Sequence, residues 1–273
     1  MISSTSDRDG TIIVTLHDDG SLWRFELSDT GAGTWKKLNY MASGIDKIQL
    51  SPGAKQLAML NSVNKSLKIV DAVSGVAVQE LANIATATWD PTADATLAVC
   101  SVDGKLELIT EKGKEAIEAP VGLANGSHVK SINFFVEKLG DENKFASVRY
   151  LLVQTEDESD GYLQFIELNS ANRDAADNKT LMRKPSKIKK DLLIATSQED
   201  SIFATGDGAG TVTIWFASPT WDNLGALFDL EGHRGANILS LAFSRDGQTL
   251  ISADSNKRLF GWLSKDKTLA ILK

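Results

Sequence analysis

The sequence predicts an all-β chain built from six four-stranded units. Three observations carry this: short runs of alternating apolar residues, a turn signal at one fixed offset in every unit, and no sustained 3.6-residue apolar period. The offset is read from a bulky apolar landmark late in the third run of each unit, at Phe25, Val70, Ile109, Ile166, Trp215 and Trp262. Six residues before each landmark lie Asp19-Gly20, Asn64-Lys65, Asp103-Gly104, Asp160-Gly161, Ala209-Gly210 and Asn256-Lys257. Asn, Asp and Gly adopt positive φ at low cost, so these pairs read as two-residue type I′ hairpin turns.

Each unit supplies its other two strands around that hairpin. A run precedes it in IDKIQLSPG, ATATWDPTA, VKSINFFVE, DLLIATSQE and NILSLAFSRDG, with the polar MISSTS in that place in the first unit. A run follows it in TWKKLNYM, VAVQEL, KEAIEAP, TLMRKP, LGALFDL and TLAILK, which brings the total to 24 strands. Successive landmarks are 45, 39, 57, 49 and 47 residues apart. A four-stranded propeller blade repeats every ~40–45 residues, so the expected fold is a single six-bladed β-propeller. A seventh blade or an open ring is the variant that the same pattern allows. Blade boundaries fall near 1–43, 44–82, 83–124, 125–185, 186–232 and 233–273. The first unit opens on its own inner strand and the last closes on its own outer strand. The ring is then expected either to close by side-chain packing alone, or to stay open and receive a strand from a partner or from sequence missing at this N-terminus.

Composition narrows the function. The chain has 273 residues, 42% hydrophobic, with Lys+Arg 29 against Asp+Glu 36 and a net charge of -7, the wrong sign for a surface that grips phosphate backbones throughout. The single cysteine, Cys100, forms no internal disulfide and no thiolate metal set, which points to a reducing compartment, cytoplasmic or nuclear. No secretion signal and no transmembrane run is read from the sequence, and the sequons at Asn64, Asn125 and Asn178 are taken as chance. His17 and His128 have no Cys or His partner at metal-ligand spacing, so neither a metal nor a cofactor is expected.

The last unit, EGHRGANILSLAFSRDGQTLISADSNKRLFGW, resembles a WD repeat of the β-propeller family. It carries Gly232-His233, the string Ser244-Arg245-Asp246-Gly247, and Trp262 at the family's distance. The repeat pattern covers the chain, while the motif resemblance is concentrated between residues 186 and 273. The Trp-Asp dipeptide itself is replaced by Trp215-Phe216 and Trp262-Leu263, and only Val70-Asp71 keeps the Asp. The resemblance implies a structural hydrogen-bond network of His233, Ser252, a turn residue and Trp262. The expected turn residue is Asn256, an amide that cannot stabilise an imidazolium, so a weaker network around a neutral histidine is expected. The other units lack the Gly-His pair and are expected to lack the network.

The resemblance also implies the function: a non-enzymatic scaffold or adaptor that docks other proteins, as a subunit of a multiprotein complex. Docking is expected on the face bearing the hairpin turns, at Asp19, Asn64, Asp103, Asp160 and Asn256, whose acidic bias suits a basic partner segment. The long fourth unit adds a basic run with Lys179, Arg183, Lys184, Lys187, Lys189 and Lys190. That run could anchor an acidic partner. It is also the basis of an alternative reading as a phosphate-surface binder of RNA or phosphoinositide, although the paired arginines of phosphoinositide-binding propellers are missing. A second alternative is a propeller hydrolase of glycosidase type. The Ser-His pair invites it, yet there is no G-x-S-x-G elbow. The string SDTGAGTW at 28–35 resembles a sialidase Asp-box but carries Thr30 and Ala32 at its diagnostic positions.

Overall fold

A computed structural model describes residues 3–117, 127–139, 146–168, 186–197, 201–216, 225–265 and 268–272. Within these, every regular element is a β-strand, and the strands form six antiparallel four-stranded sheets. The first blade holds β1 (Ser3–Ser6), β2 (Ile12–Leu16), β3 (Ser21–Leu27) and β4 (Gly33–Met41). The second holds β5 (Lys47–Leu50), β6 (Gln56–Asn61), β7 (Ser66–Asp71) and β8 (Ala77–Ala82). The third holds β9 (Ile84–Trp89), β10 (Leu97–Ser101), β11 (Leu106–Thr110) and β12 (Gly113–Ile117). The fourth holds β13 (His128–Leu139), β14 (Ala146–Glu156), β15 (Gly161–Leu168) and β16 (Ser186–Ile188). The fifth holds β17 (Leu193–Thr196), β18 (Ile202–Gly206), β19 (Thr211–Phe216) and β20 (Gly225–Glu231). The sixth holds β21 (Ile238–Phe243), β22 (Thr249–Asp254), β23 (Leu259–Lys265) and β24 (Thr268–Leu272). Strands pair in chain order within every sheet, which is the up-and-down blade of a β-propeller.

The chain packs as two compact units, one of Met1–Leu123 with His128–Ile132, the other of Ala124–Ser127 with Asn133–Lys273. In each unit the core lies between consecutive sheets, because strands that alternate apolar and polar residues bury one face on each neighbour. In the first unit Val14, Leu16 and Leu22 of blade one meet Ile48, Leu50 and Leu57 of blade two. Blade two then presents Leu60, Leu67 and Ile69 to Trp89, Leu97, Val99 and Ile109 of blade three. In the second unit an aromatic cluster joins blades four and five. Phe135 packs edge-on to Phe165 at 5.5 Å, and Phe203 stacks on Trp215 at 5.9 Å. Blades five and six meet through Val212, Ile214, Leu250 and Trp262. Cys100 is buried in β10, and that burial pushes its thiol up to about 12.

Two sequence expectations are corrected. The outer strand described for the fourth blade is Ser186–Ile188, which pairs with Leu163, Tyr162 and Gly161 of β15, while the expected strand TLMRKP at 180–185 lies outside the described residues. Residues 186–188 therefore belong to blade four, and the boundary placed at 185 moves beyond them. The hairpin turns are also not type I′. Positive φ occurs only at their last position, at Gly20, Lys65, Gly104, Gly210 and Lys257. In blades one, three, five and six the amide of that residue donates to the carbonyl three residues back, at His17, Ser101, Asp207 and Asp254. These are three-residue loops, a type I turn followed by one left-handed residue. Blades two and four use four-residue loops, since Asn61 pairs with Ser66 and Glu156 with Gly161.

Candidate functional site

The hairpin turns between the second and third strands cluster at one end of each blade, and the residue that opens the turn holds it together. Asp207 Oδ1 accepts the amides of Ala209 (3.0 Å) and Thr211 (2.8 Å), and Asp254 Oδ1 those of Asn256 (2.9 Å) and Arg258 (2.9 Å). Asn61 and Asp157 accept two turn amides each in the same way. A short side chain that can satisfy free backbone N–H groups favours such a turn.

At blade six this turn joins a buried polar chain. Trp262 Nε1–H donates to Ser252 Oγ (2.8 Å), and Ser252 Oγ lies 2.6 Å from His233 Nε2. His233 Nδ1 lies 2.8 Å from Asp254 Oδ2, which also accepts from Arg258 Nε (2.7 Å). Indole can only donate and carboxylate can only accept, so a neutral ring carries its proton on Nδ1 and Ser252 donates to Nε2. Gly232 lets the chain pass the aromatic pair, since a Cβ there would stand 2.9 Å from Trp262. Phe260 caps the imidazole edge-on at 4.4 Å.

The acid of this network is Asp254, not Asn256. Asn256 lies at the turn tip, and its amide is held by Asp254. The network thus contains a true carboxylate. Burial works to raise the Asp254 carboxyl, but the bonds from His233 and Arg258 outweigh it and hold it at about 2. A folded-state value below the unfolded one gives stability that is present above about pH 4 and lost as the pH falls toward 2. Wild-type protein is expected to lose stability steeply across that window, and Asp254→Asn to show a shallower loss there after starting lower at neutral pH. Urea melts between pH 5 and 2.5 check this, and equal slopes for the two proteins would refute it.

Blade five repeats the arrangement with one exchange. Trp215 Nε1 donates to Thr205 Oγ1 (2.8 Å), in the places of Trp262 and Ser252, and Asp207 stands in that of Asp254. Lys189, on the segment entering the blade, takes the place of His233 and donates to Asp207 Oδ2 (3.0 Å). The expectation that only the last unit carries such a network therefore fails at blade five. Its signal was the shared spacing of Thr205, Asp207 and Trp215 with Ser252, Asp254 and Trp262.

Connections between blades bind to the same turns. Ala42 N donates to Gly20 O (2.9 Å), Ile84 N to Lys65 O (2.8 Å) and Val102 N to Asn83 O (2.8 Å) in the first unit. Gly235 N donates to Ala209 O (3.1 Å), Ile238 N to Asp207 O (3.1 Å) and Ser255 N to Asn237 O (2.9 Å) in the second. Each unit therefore has a collar in which turn and inter-blade segment alternate.

The acidic bias expected of this end is largely met from within. Asp103 pairs with Lys105 (2.8 Å) and is pulled to about 2 by that lysine and Ser101, Asp160 pairs with Lys187 (2.7 Å), and Asp19 accepts from Ser21 N (2.9 Å). Lys190 donates to Glu158 O (3.4 Å). Lys187, Lys189 and Lys190 are thus tied to the turn end of blades four and five, while Lys179, Arg183 and Lys184 lie outside the described residues. Sequence reasoning missed two tip residues: Val63 is 88% exposed and Val102 47% exposed, beside Asn64 and Asp103. A β-branched apolar residue at a turn tip, where Gly, Asn, Asp and Ser prevail, was the available signal.

Ser252, His233 and Asp254 have the connectivity of a hydrolytic triad, yet His233 and Ser252 are fully buried and the hydroxyl is already bonded to Trp262. No substrate reaches that oxygen, so the set is a structural staple. Among the described residues no group of three or more His, Cys, Asp or Glu side chains is placed to hold a metal ion, and no helix is long and apolar enough to cross a membrane.

Residues 225–263 match the family model described as "WD domain, G-beta repeat". That stretch of the chain is a WD repeat. The match spans β20, the Gly232-His233 crossover and the sixth blade through Trp262, so the staple lies wholly within it. The chain as a whole is similar in fold to solved β-propellers. It resembles the β-propeller domain of Cps50 (Swd1) from Myceliophteria thermophila with a TM-score of 0.65 at 14% identity, covering 99% of this chain and 86% of that one. It resembles U3-55K with a TM-score of 0.62 at 12% identity, covering 100% and 80%. For Hsv2 of Kluyveromyces lactis the values are 0.55, 12%, 96% and 72%. At these identities the likeness concerns the fold alone. No curated protein matches the chain significantly in sequence.

Proposed function

We propose that this chain is a WD-repeat propeller acting as a non-enzymatic scaffold in the cytoplasm or nucleus, which docks partner proteins on the turn end of its first unit and so serves as a subunit of a larger complex. The observation that carries this reading is the pair of exposed valines, Val63 and Val102, on turns whose backbones are locked into the collar. Apolar side chains on a rigid mount lose little conformational freedom on binding, which is the economy of a docking surface. Asn64 and Asp103 follow them directly in the same turns, and Asp19 stands in the corresponding turn of blade one, so the turn end carries groups suited to hydrogen bonding at an interface rim. Charge attraction is the lesser part of the proposal, because Asp103 and Asp160 already hold lysines. The same pairing weighs against a phosphate-surface reading, since Lys187 and Lys189 would have to leave carboxylates.

Affinity purification of the tagged chain from its native source, compared with a Val63→Glu/Val102→Glu variant, tests the proposal. Both side chains are exposed, so the variant is expected to keep its melting temperature within about 2 °C. It is expected to lose at least one protein that wild-type retains in stoichiometric amount. Identical retained proteins in both samples would overturn the turn-end assignment.

A further inference from the structure

The opposite end of the first unit carries a second feature that the turn-end reading does not use. Blades two and three pack closely from Leu60, Leu67 and Leu81 down to Ile69. Beyond Ile69 the same face of blade two continues as Gln79, its cross-strand partner, and Gln56. Gln79 opposite Ile69 and the pair Gln56–Asp71 beyond it put polar side chains where apolar ones would extend the contact, and the groove opens there. The opening is a groove of about 420 Å³. Its floor is the buried apolar set Ile69, Trp89, Leu97 and Ile109. Gln56, Gln79, Thr110 and Glu111 form its polar lining. Trp89 turns its polar atom away, donating from Nε1 to Gln49 O (3.0 Å), so the ring adds only apolar surface. Thr110 is engaged by its own turn, accepting from Lys112 N and donating to Gly113 O. Among the described residues, the side chains of Gln56, Gln79 and Glu111 make no hydrogen bond or ion pair.

One wall of the groove is β8, the outermost strand of blade two, whose outer edge pairs with no strand among the described residues. Val78 of that strand is exposed beside the opening. An edge strand offers backbone groups at the spacing of another extended chain. A side-chain amide offers both N–H donors and a carbonyl acceptor, the same groups that a peptide bond presents. Groove, edge and amides together select an extended segment, the apolar floor selects a bulky side chain, and Glu111 selects a cation near it. We infer that the groove between blades two and three is a second docking site, which takes an extended peptide bearing one bulky apolar residue with a lysine or arginine within two positions of it. The bulky side chain fills the floor, Gln56 and Gln79 bond the peptide backbone, and Glu111 pairs with the cation.

The test uses a phage-displayed library of random twelve-residue peptides selected on the full chain, followed by fluorescence titration of the recovered sequences. Recovered peptides are expected to share the apolar-plus-cation pattern and to bind with Kd on the order of 10 μM. Ala95→Trp, which fills the groove from its lining, and Glu111→Lys, which reverses the charge, are each expected to weaken binding by roughly tenfold or more. Val63→Glu, at the far end of the blade, is expected to leave it unchanged, so failure of this site and failure of the turn-end site are read separately. Circular dichroism melts confirm that each variant is folded. A selection with no shared pattern, or peptides whose affinity survives both Ala95→Trp and Glu111→Lys, would overturn the assignment.

Discussion

Trp262→Ala is expected to lower stability by ~3–5 kcal/mol, the cost of emptying a buried aromatic site. The indole is 1% exposed, joins Val212, Ile214 and Leu250 in the contact between blades five and six, and stacks on Phe260 at 5.6 Å. Its removal also takes the donor from Ser252 and uncovers the imidazole of His233. Trp262→Phe separates these effects, since it restores most of the volume but not the N–H. It should recover most of the loss and leave a deficit of about 1 kcal/mol, the net worth of one buried hydrogen bond. Urea denaturation gives both numbers. A Trp262→Phe variant no better than Trp262→Ala would mean that the hydrogen bond, not the packing, dominates at this position.

The second large effect is expected at Gly210. Gly20 and Gly210 occupy the same turn position with nearly the same backbone, φ +78° and +86°. Both lie in the left-handed region, where a Cβ costs ~1–2 kcal/mol. Their surroundings differ. A Cβ at Gly20 would find Ser43 at an ordinary 3.5 Å, whereas one at Gly210 would collide with His233 O and stand 2.8 Å from Ala236 O. Both contacts are backbone atoms of the segment that carries His233 into its network, so they cannot swing aside. Gly20→Ala is therefore expected to cost ~1–2 kcal/mol, and Gly210→Ala on the order of 3 kcal/mol or more. Lys65 and Lys257 show that the conformation alone tolerates a side chain, at φ 53° and 64°. Equal losses for the two glycines, measured by the same denaturation, would show that strain rather than close approach governs the turn.

The repeat, the 24 strands and the blade class were legible because alternation and turn residues act locally, and each unit restates them. What was misread follows from one physical detail. A two-residue loop was assumed at Asn256-Lys257, which made Asn256 the turn residue facing His233. The loop has three residues, so its opening residue is Asp254, and the left-handed position belongs to Lys257 alone. An Asp, Asn or Ser that closes its own turn amides marks that opening place at Asn61, Ser101, Asp157, Asp207 and Asp254, a pattern visible once loop length is known. Lys189 escaped notice for another reason. A basic residue in a basic run reads as solvated surface, and only the fold brings it to Asp207, 18 residues on. The groove at Gln56 and Gln79 was hidden because half-buried glutamines in strands look like ordinary solvent-facing positions until the facing sheet is known.

The collar also bears on how the chain acquires its structure. Every strand pairs with its sequence neighbour, and within each unit the segment that leaves one blade is the one that hydrogen-bonds that blade's turn before entering the next. Docking a blade onto its neighbour therefore closes only short loops, and the entropic barrier to each step stays small. No single blade has to form first. Within each unit assembly can begin at any hairpin and spread in both directions, as in other repeat architectures.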